Sequence, residues 1–441
     1  MTIMHLGKEF SLPSLSRAAR VETARPNPGL PPGKWEQVVS AALDDPLPPA
    51  RRLEELDLCG KTVCIIVDDR GRPTPVGEFI LPILDRLNKS GAPDGRIRIV
   101  TASGMHDPMT EEELALKLGE TAMRRVHCSS HDAGNQEGLR FMGITSRGSP
   151  VWVNRYAAEA DFRIAAGRIH PHVCYGYEGG YKMICPGISS FETIVRDHGM
   201  NFSDNSRYGN VYDNISRSEA DDIGRMVGID YLINFVVDSK DRPIKAFAGS
   251  CDPVFRRGVD FGERNVWGTK ISRKADIAVV SVPKEGDFRL SNNPMYYLQL
   301  AFDATARDGV LIAFLEDRTE KRRPTVQGID LSALSVGELL RLHEKRTWNC
   351  SEREVQHIIK AIRSEYYLRR VVELHAPLLS IVSGSFSAAK LERYRARLFA
   401  DPERALSAAL DAKPDAHVLL IPEGTETIPI VEYSFPADRE V

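Results

Sequence analysis

The sequence predicts an α/β protein of two domains, each built on a mainly parallel sheet covered by helices, with a cofactor and substrate cleft between them. Strand-length runs of β-branched and aliphatic residues alternate with segments of helical periodicity, which is the pattern of βαβ units. The chain has 441 residues, more than one core holds at roughly 100–200 residues per domain, and its 42% hydrophobic and 27% charged composition is that of a globular protein. We place the first domain at residues 1–255, a connector at 256–274 and the second domain at 275–441.

The first predicted strand is KTVCIIVDD at residues 61–69, a β-branched run that ends in two acids. Thr74 and Pro75 follow, and they suit the cap and first position of a helix. The proline-rich residues 21–51 ahead of this strand are expected to form an extended arm. Further elements are predicted as strands at 97–102, near 124–128, at 151–154 and at 161–167, and as a helix near 110–118.

A second set of strand-like runs follows the connector. These runs are ADIAVVSV, GVLIAFLE, PLLSIVS and HVLLIPE, at residues 275–282, 309–316, 377–383 and 417–423. Each is nearly continuous in apolar residues, as in parallel strands covered on both faces. Ligands of such α/β sheets bind beyond the carboxyl ends of the strands, and we therefore look for the site there.

Composition and charge exclude several classes of protein. Lys and Arg total 58 against 61 Asp and Glu, a formal net charge of −3, so no basic surplus indicates a nucleic-acid partner. No apolar run reaches the roughly 18–20 residues of a membrane span, and the first residues lack the pattern of a secretory signal. Seven cysteines without a C-x-x-C favour a reduced, cytoplasmic protein over a disulfide framework or a zinc ribbon.

The densest group of chemically active residues lies between 167 and 198, directly after a predicted strand. The segment reads GRIHPHVCYGYEGGYKMICPGISSFETIVRDH and combines histidines, one lysine and a Gly-Gly pair. Gly179 and Gly180 allow a phosphate-bearing ligand close to the backbone, although the P-loop order is missing and a plain turn is the alternative. Lys182 is either a positive charge for a phosphate or a nucleophilic amine for covalent attachment.

Two further predicted strand ends carry candidate groups. His106 follows one strand in TASGMHD, and with His172 it offers an acid and a base from separate segments. Asp69 and Arg72 follow another strand in DDRGRP, where they suit a hydroxyl and a phosphate or carboxylate. A structural role is the alternative for each of these residues, and His170 could take the place of His172.

These motifs resemble the nickel-pincer lactate racemase family of 2-hydroxyacid racemases and epimerases. DDRGRPTP is similar to a D-x-T-R-P-x-P element, and TASGMH to a first catalytic-histidine motif. HPHVCYGYEGGYKMICPG followed by TIVRDH is similar to an H…GYSGG-x-K…PG…H signature. His106, His172, Lys182 and His198 match in order and spacing, and the resemblance is strongest across residues 61–198.

The resemblance implies an isomerase that inverts C2 of a 2-hydroxy acid with a nickel-pincer nucleotide, a pyridinium thioamide/thiocarboxylate mononucleotide carried covalently by Lys182. His198 would be the protein ligand of nickel, beside sulfurs and a carbon of the cofactor. His106 and His172 would be alternate general bases while hydride moves from C2 to the cofactor and returns to the opposite face. The further residues implied in cofactor binding are Asp69, Arg72, Gly179, Gly180, Pro186 and Gly187. The implied partners are the small 2-hydroxy acid and cofactor-maturation proteins.

The sequence departs from the family where ligand contacts are expected. Gly71 stands where the family usually has Thr, and no lysine stands near Gln299, although the family has one there that grips the substrate carboxylate. A changed or larger substrate is therefore expected. The candidates for substrate binding are Arg72, Gln299 and Tyr177, with Arg289 or Asn292 in place of the lysine. For Tyr175, Tyr177 and Trp348, core packing is favoured over lining the pocket.

Other functions remain open at this point. A sugar-acid 2-epimerase would use the same cofactor, and a non-catalytic protein would bind the nickel-pincer nucleotide without turnover, although a pair of histidine bases argues against the latter. A dehydrogenase that uses NAD is disfavoured, because no G-x-G-x-x-G follows a predicted strand with an acid roughly 20 residues further on. The sequence determines neither the 2-hydroxy acid nor the oligomeric state.

Overall fold

The computed structural model describes residues 2–5, 8–27, 30–203, 205–282, 298–315, 325–326, 329–330, 379–383, 388, 391, 396–424 and 427–431. Contacts divide the chain into two compact units, residues 29–266 and residues 1–28 with 267–441. Each unit contains a six-stranded, mainly parallel sheet with helices packed on it. The predicted α/β fold class is therefore confirmed.

The strands are numbered in chain order. They are β1 (Thr2–His5), β2 (Lys8–Ser11), β3 (Arg20–Thr23), β4 (Val63–Asp68), β5 (Ile97–Ala102), β6 (His127–Ser130), β7 (Leu139–Ile144), β8 (Pro150–Asn154), β9 (Phe162–Ile169), β10 (Pro171–His172), β11 (Gly176–Tyr177), β12 (Tyr231–Val237), β13 (Pro243–Gly249), β14 (Gly268–Ile271), β15 (Ala275–Ser281), β16 (Thr305–Phe314), β17 (Thr325–Val326), β18 (Ile329–Asp330), β19 (Leu379–Val382), β20 (Arg397–Phe399), β21 (His417–Ile421) and β22 (Ile428–Val431).

The helices are numbered in the same way. They are α1 (Trp35–Asp44), α2 (Ile80–Lys89), α3 (Glu111–Leu118), α4 (Glu120–Arg125), α5 (Arg155–Ala158), α6 (Phe191–His198), α7 (Ile215–Val227), α8 (Cys251–Gly262), α9 (Leu298–Asp303) and α10 (Pro402–Ala412).

The sheet of residues 29–266 has the strand order β13-β12-β9-β4-β5-β6. Its neighbours pair in parallel except for β12 and β13, which form an antiparallel pair at one edge. All six residues of β4, VCIIVD, are buried, as expected of a central strand covered on both faces. α2 packs on this core through Ile83 and Leu87, and burying one such side chain contributes about 1.5–3 kcal/mol. Pro82 lies in the first turn of α2, where a missing N–H costs no hydrogen bond.

The sheet of the other unit has the order β20-β19-β16-β15-β21-β3, and all its pairs are parallel. Its edge strand β3 comes from the segment expected to be an extended arm, which also forms α1. Residues 1–28 therefore group with the C-terminal unit, whereas the sequence placed them in the first domain. The reason is the backbone pairing of β3 with β21, which joins residues almost a whole chain apart and leaves no local pattern.

Candidate active site

The candidate residues lie at the carboxyl ends of three neighbouring parallel strands. Asp69 directly follows β4, His106 lies shortly after β5, and the segment 170–198 follows β9. Because β4 pairs in parallel with β5 on one side and with β9 on the other, these three ends share one edge of the sheet. This edge is where α/β sheets bind ligands.

His106 is held by a buried carboxylate. Its Nδ1 lies 2.7 Å from Oδ2 of Asp69, whose side chain is 3% exposed, whereas about half of the His106 side chain is exposed. Burial would raise the pKa of Asp69, but the hydrogen bond from His106 and nearby positive charges hold it below its ordinary value. The ionised Asp69 therefore accepts the Nδ1 proton of His106. Gly71 leaves room for the ring, since a Cβ there would lie 2.9 Å from His106 Cε1.

Glu178 joins the two motifs DDRGRP and GYEGG. Its Oε1 lies 2.9 Å from Arg72 Nε, and its Oε2 lies 2.9 Å from Arg168 Nε. Glu178 and Arg168 are buried, and Arg72 is half-buried. Burial alone would raise the pKa of Glu178, but the charges of Arg168 and Arg72 hold it well below its ordinary value. The ionised carboxylate of Glu178 thus holds the guanidinium of Arg72 in place. Arg72 is the residue predicted from the sequence to bind a phosphate or carboxylate.

Lys117 of α3 holds the loop after β4. Its Nζ donates to the carbonyl oxygens of Arg72 at 2.8 Å and Thr74 at 2.7 Å. Burial lowers the pKa of Lys117 to about 8. Thr74, expected to cap a helix, instead donates from its hydroxyl to Oδ2 of Asp68 at 2.9 Å. The loop that carries Asp69 and Arg72 is therefore tied to β4 and to α3.

The glycine pair forms a tight turn ahead of Lys182. Gly179 and Gly180 have φ angles of 90° and 60°, which glycine adopts at little cost. A Cβ on Gly179 would lie 2.9 Å from Asn234 Oδ1, and one on Gly180 would lie 2.5 Å from a nitrogen of Arg217. Asn234 Oδ1 accepts the Gly180 N–H at 3.0 Å. The fold itself therefore requires both glycines, because the turn packs closely against β12 and α7.

Lys182 carries a buried amine. The residue lies in a short 3₁₀ helix, Gly180–Met183, and is 8% exposed. Its Nζ lies 4.3 Å from the centre of the Tyr175 ring. Burial lowers the pKa of Lys182 to about 7, against the negative charge of Glu178, which raises it. A lysine that is partly neutral at this pH is a nucleophile.

The Pro186–Gly187 pair connects the turn of Lys182 with the loop after β5. The Gly187 N–H donates to the Lys182 carbonyl at 3.1 Å, and the Gly187 carbonyl accepts the Gly104 N–H at 2.8 Å. The peptide bond before Pro186 is cis. The segments that carry Lys182 and His106 are therefore joined by backbone hydrogen bonds.

His198 ends α6 beside an acid and a tyrosine. Ser190 caps the start of α6, and its Oγ accepts the Thr193 N–H at 3.2 Å. The Nδ1 of His198 lies 3.0 Å from Asp197 Oδ2 and 3.1 Å from the Tyr175 hydroxyl, which itself donates to Asp197. Nδ1 therefore faces two acceptor oxygens and carries the proton, which leaves the lone pair on Nε2. Histidines that ligate metals commonly have such a partner for the other ring nitrogen.

His172 lies in β10, which forms a short hairpin with β11. Its Nδ1 accepts the backbone N–H groups of Cys174 at 3.2 Å and Tyr175 at 3.4 Å. The rings of His172 and Tyr175 are in edge contact, 5.3 Å between centres. His170, the alternative candidate, is 2% exposed and lies 3.0 Å from a backbone carbonyl, whereas His172 is half-buried. Of the two rings, His172 is the more accessible.

Two residues predicted to bind the substrate, Tyr177 and Gln299, are buried in the structure. Tyr177 is fully buried, and its hydroxyl donates to Glu263 at 2.8 Å. Gln299 lies in α9 and is 6% exposed, and its side-chain amide has no hydrogen-bond partner among the residues that the structure describes. The residues outside the described part of the chain are Arg289, Asn292 and Trp348.

Sequence reasoning missed the central position of Tyr175, for which core packing was favoured. Its ring contacts Lys182 and His172, and its hydroxyl contacts His198. It missed Glu178 as well, although a glutamate within the segment densest in candidate ligand residues was a usable signal of an internal ion pair. No local signal distinguishes Tyr175 from the other tyrosines of the segment.

Within the described residues, no three His, Cys, Asp or Glu side chains gather as a group that could hold a metal ion. None of the helices in this part of the chain is long and apolar enough to cross a membrane.

Comparison with known families and curated proteins finds one family. Residues 6–209 match the model of the lactate racemase N-terminal domain. The chain is 35% identical over 228 residues to a lactate racemase of Lactiplantibacillus plantarum, covering 51% of this chain and 53% of the relative. It is 29% identical over 281 residues to a lactate racemase of Thermoanaerobacterium thermosaccharolyticum, covering 63% and 64%. The matches thus span between about half and two thirds of these curated relatives.

Solved structures share the fold over nearly the whole chain. A lactate racemase apoprotein from Thermoanaerobacterium thermosaccharolyticum superposes with a TM-score of 0.75 at 23% identity, covering 98% of this chain and 99% of that one. A crystal structure of a protein from Thermotoga maritima superposes with a TM-score of 0.58 at 18% identity, covering 91% and 100%. At sequence identities of 23% and 18%, these superpositions show a shared fold alone.

Proposed function

The chain belongs to the lactate racemase family, whose N-terminal domain it carries at residues 6–209, and on this premise we propose that it is a racemase or epimerase of a 2-hydroxy acid. The observation that carries the proposal is the set of contacts made by Tyr175. Its ring lies against Lys182 and His172, and its hydroxyl meets His198. This supports one site in which a cofactor-bearing lysine, a metal ligand and a proton-handling histidine act together.

The donor groups of the chain fit a nickel-pincer nucleotide. Lys182 offers a buried amine whose pKa of about 7 provides the neutral form that covalent attachment requires. The lone pair of His198 lies on Nε2, and imidazole combined with sulfur ligands suits nickel. When bound, the cofactor would supply those sulfur ligands and a carbon centre suited to hydride exchange with C2 of the substrate. Cofactor-maturation proteins are then required partners.

The residues of the chain itself handle the hydroxyl proton and orient the substrate. Asp69 keeps a proton on Nδ1 of His106, so Nε2 of that ring accepts the hydroxyl proton. His172, in the hairpin of β10 and β11, is the second general base and acts on the hydroxyl of the opposite enantiomer. Arg72, held by Glu178, has guanidinium donors suited to the substrate carboxylate or a cofactor phosphate.

Intact-mass spectrometry and nickel analysis of the full chain test the cofactor. The chain is produced in cells that also make the cofactor-maturation proteins, and we expect an added mass on Lys182 together with bound nickel. Lys182→Ala should lose both, whereas Lys89→Ala, a change at an exposed lysine, should keep both. A chain from such cells with neither adduct nor nickel would refute the proposal.

A panel of 2-hydroxy acids in deuterated water tests the reaction, beginning with D- and L-lactate. Hydride that leaves C2 and returns there brings no solvent deuterium, so we expect inversion without deuterium at C2. A sugar-acid 2-epimerase is the second candidate, favoured by the lack of a lysine near Gln299, and it would invert only the larger acids of the panel. A loaded chain that inverts none of them would be a cofactor-binding protein without this activity.

A further inference from the structure

Arg217 of α7 is an almost fully buried cation, and its side chain belongs to none of the sequence motifs of the site. The residue is 1% exposed, and its guanidinium carbon lies 3.6 Å from the centre of the Phe255 ring. Its Nε lies 2.9 Å from Asp221 Oδ1, one turn further along the helix. A guanidinium buried so deeply is costly unless its other N–H donors also meet acceptors.

Those acceptors belong to the turn ahead of Lys182. Nη1 of Arg217 donates to the carbonyl oxygens of Tyr177 and Gly179, both at 3.3 Å. The Gly179 carbonyl also accepts the backbone N–H of Lys182 at 3.4 Å. Arg217 and the backbone of the buried lysine therefore share one acceptor.

Asn234 of β12 holds the same turn from the sheet. Its Oδ1 accepts the Gly180 N–H at 3.0 Å, and its amide nitrogen donates to the Gly167 carbonyl at 2.8 Å. Arg217 and Asn234 together bind the carbonyls of residues 177 and 179 and the N–H of residue 180. The turn is thus fixed between α7 and β12, and its orientation directs the Lys182 amine to the ring of Tyr175 at 4.3 Å.

Arg217 also adds positive charge to the surroundings of the amine. Burial is the largest cause of the low pKa of Lys182; among the other side chains, Glu178 and Cys174 raise this pKa, and Arg72 and Arg217 lower it. Arg72 comes from the loop after β4 and is paired with Glu178. Arg217 is therefore the cation that acts on the amine from α7.

We propose that Arg217 is a positioning residue for Lys182: its guanidinium fixes the turn that directs the amine and places a positive charge beside it. This inference rests on the proposed function, in which that amine carries the cofactor, and deepens it by adding a residue of α7 to the site. Arg217 acts through the backbone of the turn and through its charge, and it touches neither substrate nor cofactor. The glycine at position 180 agrees with this role, because a Cβ there would lie 2.5 Å from a guanidinium nitrogen of Arg217.

Both effects of Arg217 can be measured on the full chain without cofactor. Arg217→Met removes the charge together with the N–H donors. In brief labelling with acetic anhydride at a series of pH values, the midpoint of Lys182 should rise above about 7 towards the ordinary lysine value. A rise of one pH unit would lower the amount of neutral amine at pH 7 roughly fivefold. Amide hydrogen exchange in the peptide of residues 178–183 should become faster, because the turn loses two hydrogen bonds.

Arg217→Lys separates the charge from the hydrogen bonds. Lysine keeps the positive charge but lacks the planar guanidinium, so the midpoint of Lys182 should stay near that of the unchanged chain while exchange in the turn still becomes faster. Thermal unfolding shows whether each variant folds. Arg217→Gln, which keeps an N–H donor without the charge, replaces Arg217→Met if the latter does not fold, and it should raise the midpoint in the same way.

The matched control is Arg147→Met, which removes an arginine that pairs with Glu219 and Asp222 of the same helix. It should leave both the midpoint and the exchange of the turn unchanged. The inference is overturned if loss of the Arg217 charge does not move the midpoint, if Arg217→Lys raises the midpoint as much as Arg217→Met, or if Arg147→Met produces the same changes. An unchanged chain that acquires no adduct beside the maturation proteins refutes the proposed function instead, and the midpoints still decide the role of Arg217.

Discussion

The amine of Lys182 should titrate near neutral pH, which gives the most direct test of the site. Burial removes water from the ammonium group, and the charges of Arg72 and Arg217 add to its cost, so the pKa falls from 10.5 to about 7 although Glu178 opposes the change. At pH 7 about half of the amine is then neutral, whereas an ordinary lysine is neutral in roughly 0.03% of molecules. The supply of nucleophilic amine therefore rises roughly a thousandfold.

Trace labelling with acetic anhydride measures the neutral fraction of the Lys182 amine directly. The full chain is labelled briefly at a series of pH values, and the peptide that contains Lys182 is quantified by mass spectrometry against the peptide of the exposed Lys89. The rate at Lys182 should rise with pH and reach a plateau with a midpoint of about 7. Normalising to the plateau removes the effect of limited access to a buried side chain.

A variant without the negative charge of Glu178 tests the cause of the pKa of Lys182. Glu178→Gln deletes the negative charge that raises the pKa of Lys182, so the midpoint should move below that of the unchanged chain. A Lys182 rate that keeps rising towards pH 10 would refute the reasoning that burial dominates. A midpoint that rises in the variant would refute the assignment of Glu178 as the opposing charge.

Two further predictions concern the stability of the buried network. Glu178→Gln should lower the free energy of unfolding by about 3 kcal/mol, because it removes the buried carboxylate that pairs with both Arg72 and Arg168 and leaves Arg168, whose side chain is 1% exposed, with Asp241 as its remaining carboxylate partner. Urea unfolding measures this loss, and a value below about 1 kcal/mol would contradict the prediction. Tyr175→Phe should cost about 1.5–3 kcal/mol, because the hydroxyl that donates to the fully buried Asp197 is lost. The control is Tyr231→Phe, which removes a buried hydroxyl without a partner among the described residues and should cost nothing; equal losses in the two variants would show that the Tyr175 hydrogen bond adds no stability.

Three neighbouring strands of the first sheet, β4, β5 and β9, were predicted from the sequence because most of their residues are buried, whereas β12 and β13 were not predicted, although every residue of β12 is buried. Strands buried on both faces appear as unbroken apolar runs, and the run predicted at 97–102 matches β5 residue for residue while the run at 61–69 contains β4. The strand β3 was not predictable in the same way. It is short and partly exposed, and it follows a register set by β21, so its own residues carry no comparable pattern.

The sequence was enough to propose which residues form the site. Lys182, His106 and His172 were candidates because reactive side chains after predicted strands converge on one edge of a parallel sheet, and the order and spacing shared with a known family added His198 as the metal ligand. The partners of these residues were decided only by the tertiary structure. Ion pairs, the protonation of a buried amine and the tautomer of an imidazole depend on distances of a few ångströms between groups from different segments. Tyr175 shows this best, since folding alone brings its one ring and hydroxyl to three of those four side chains.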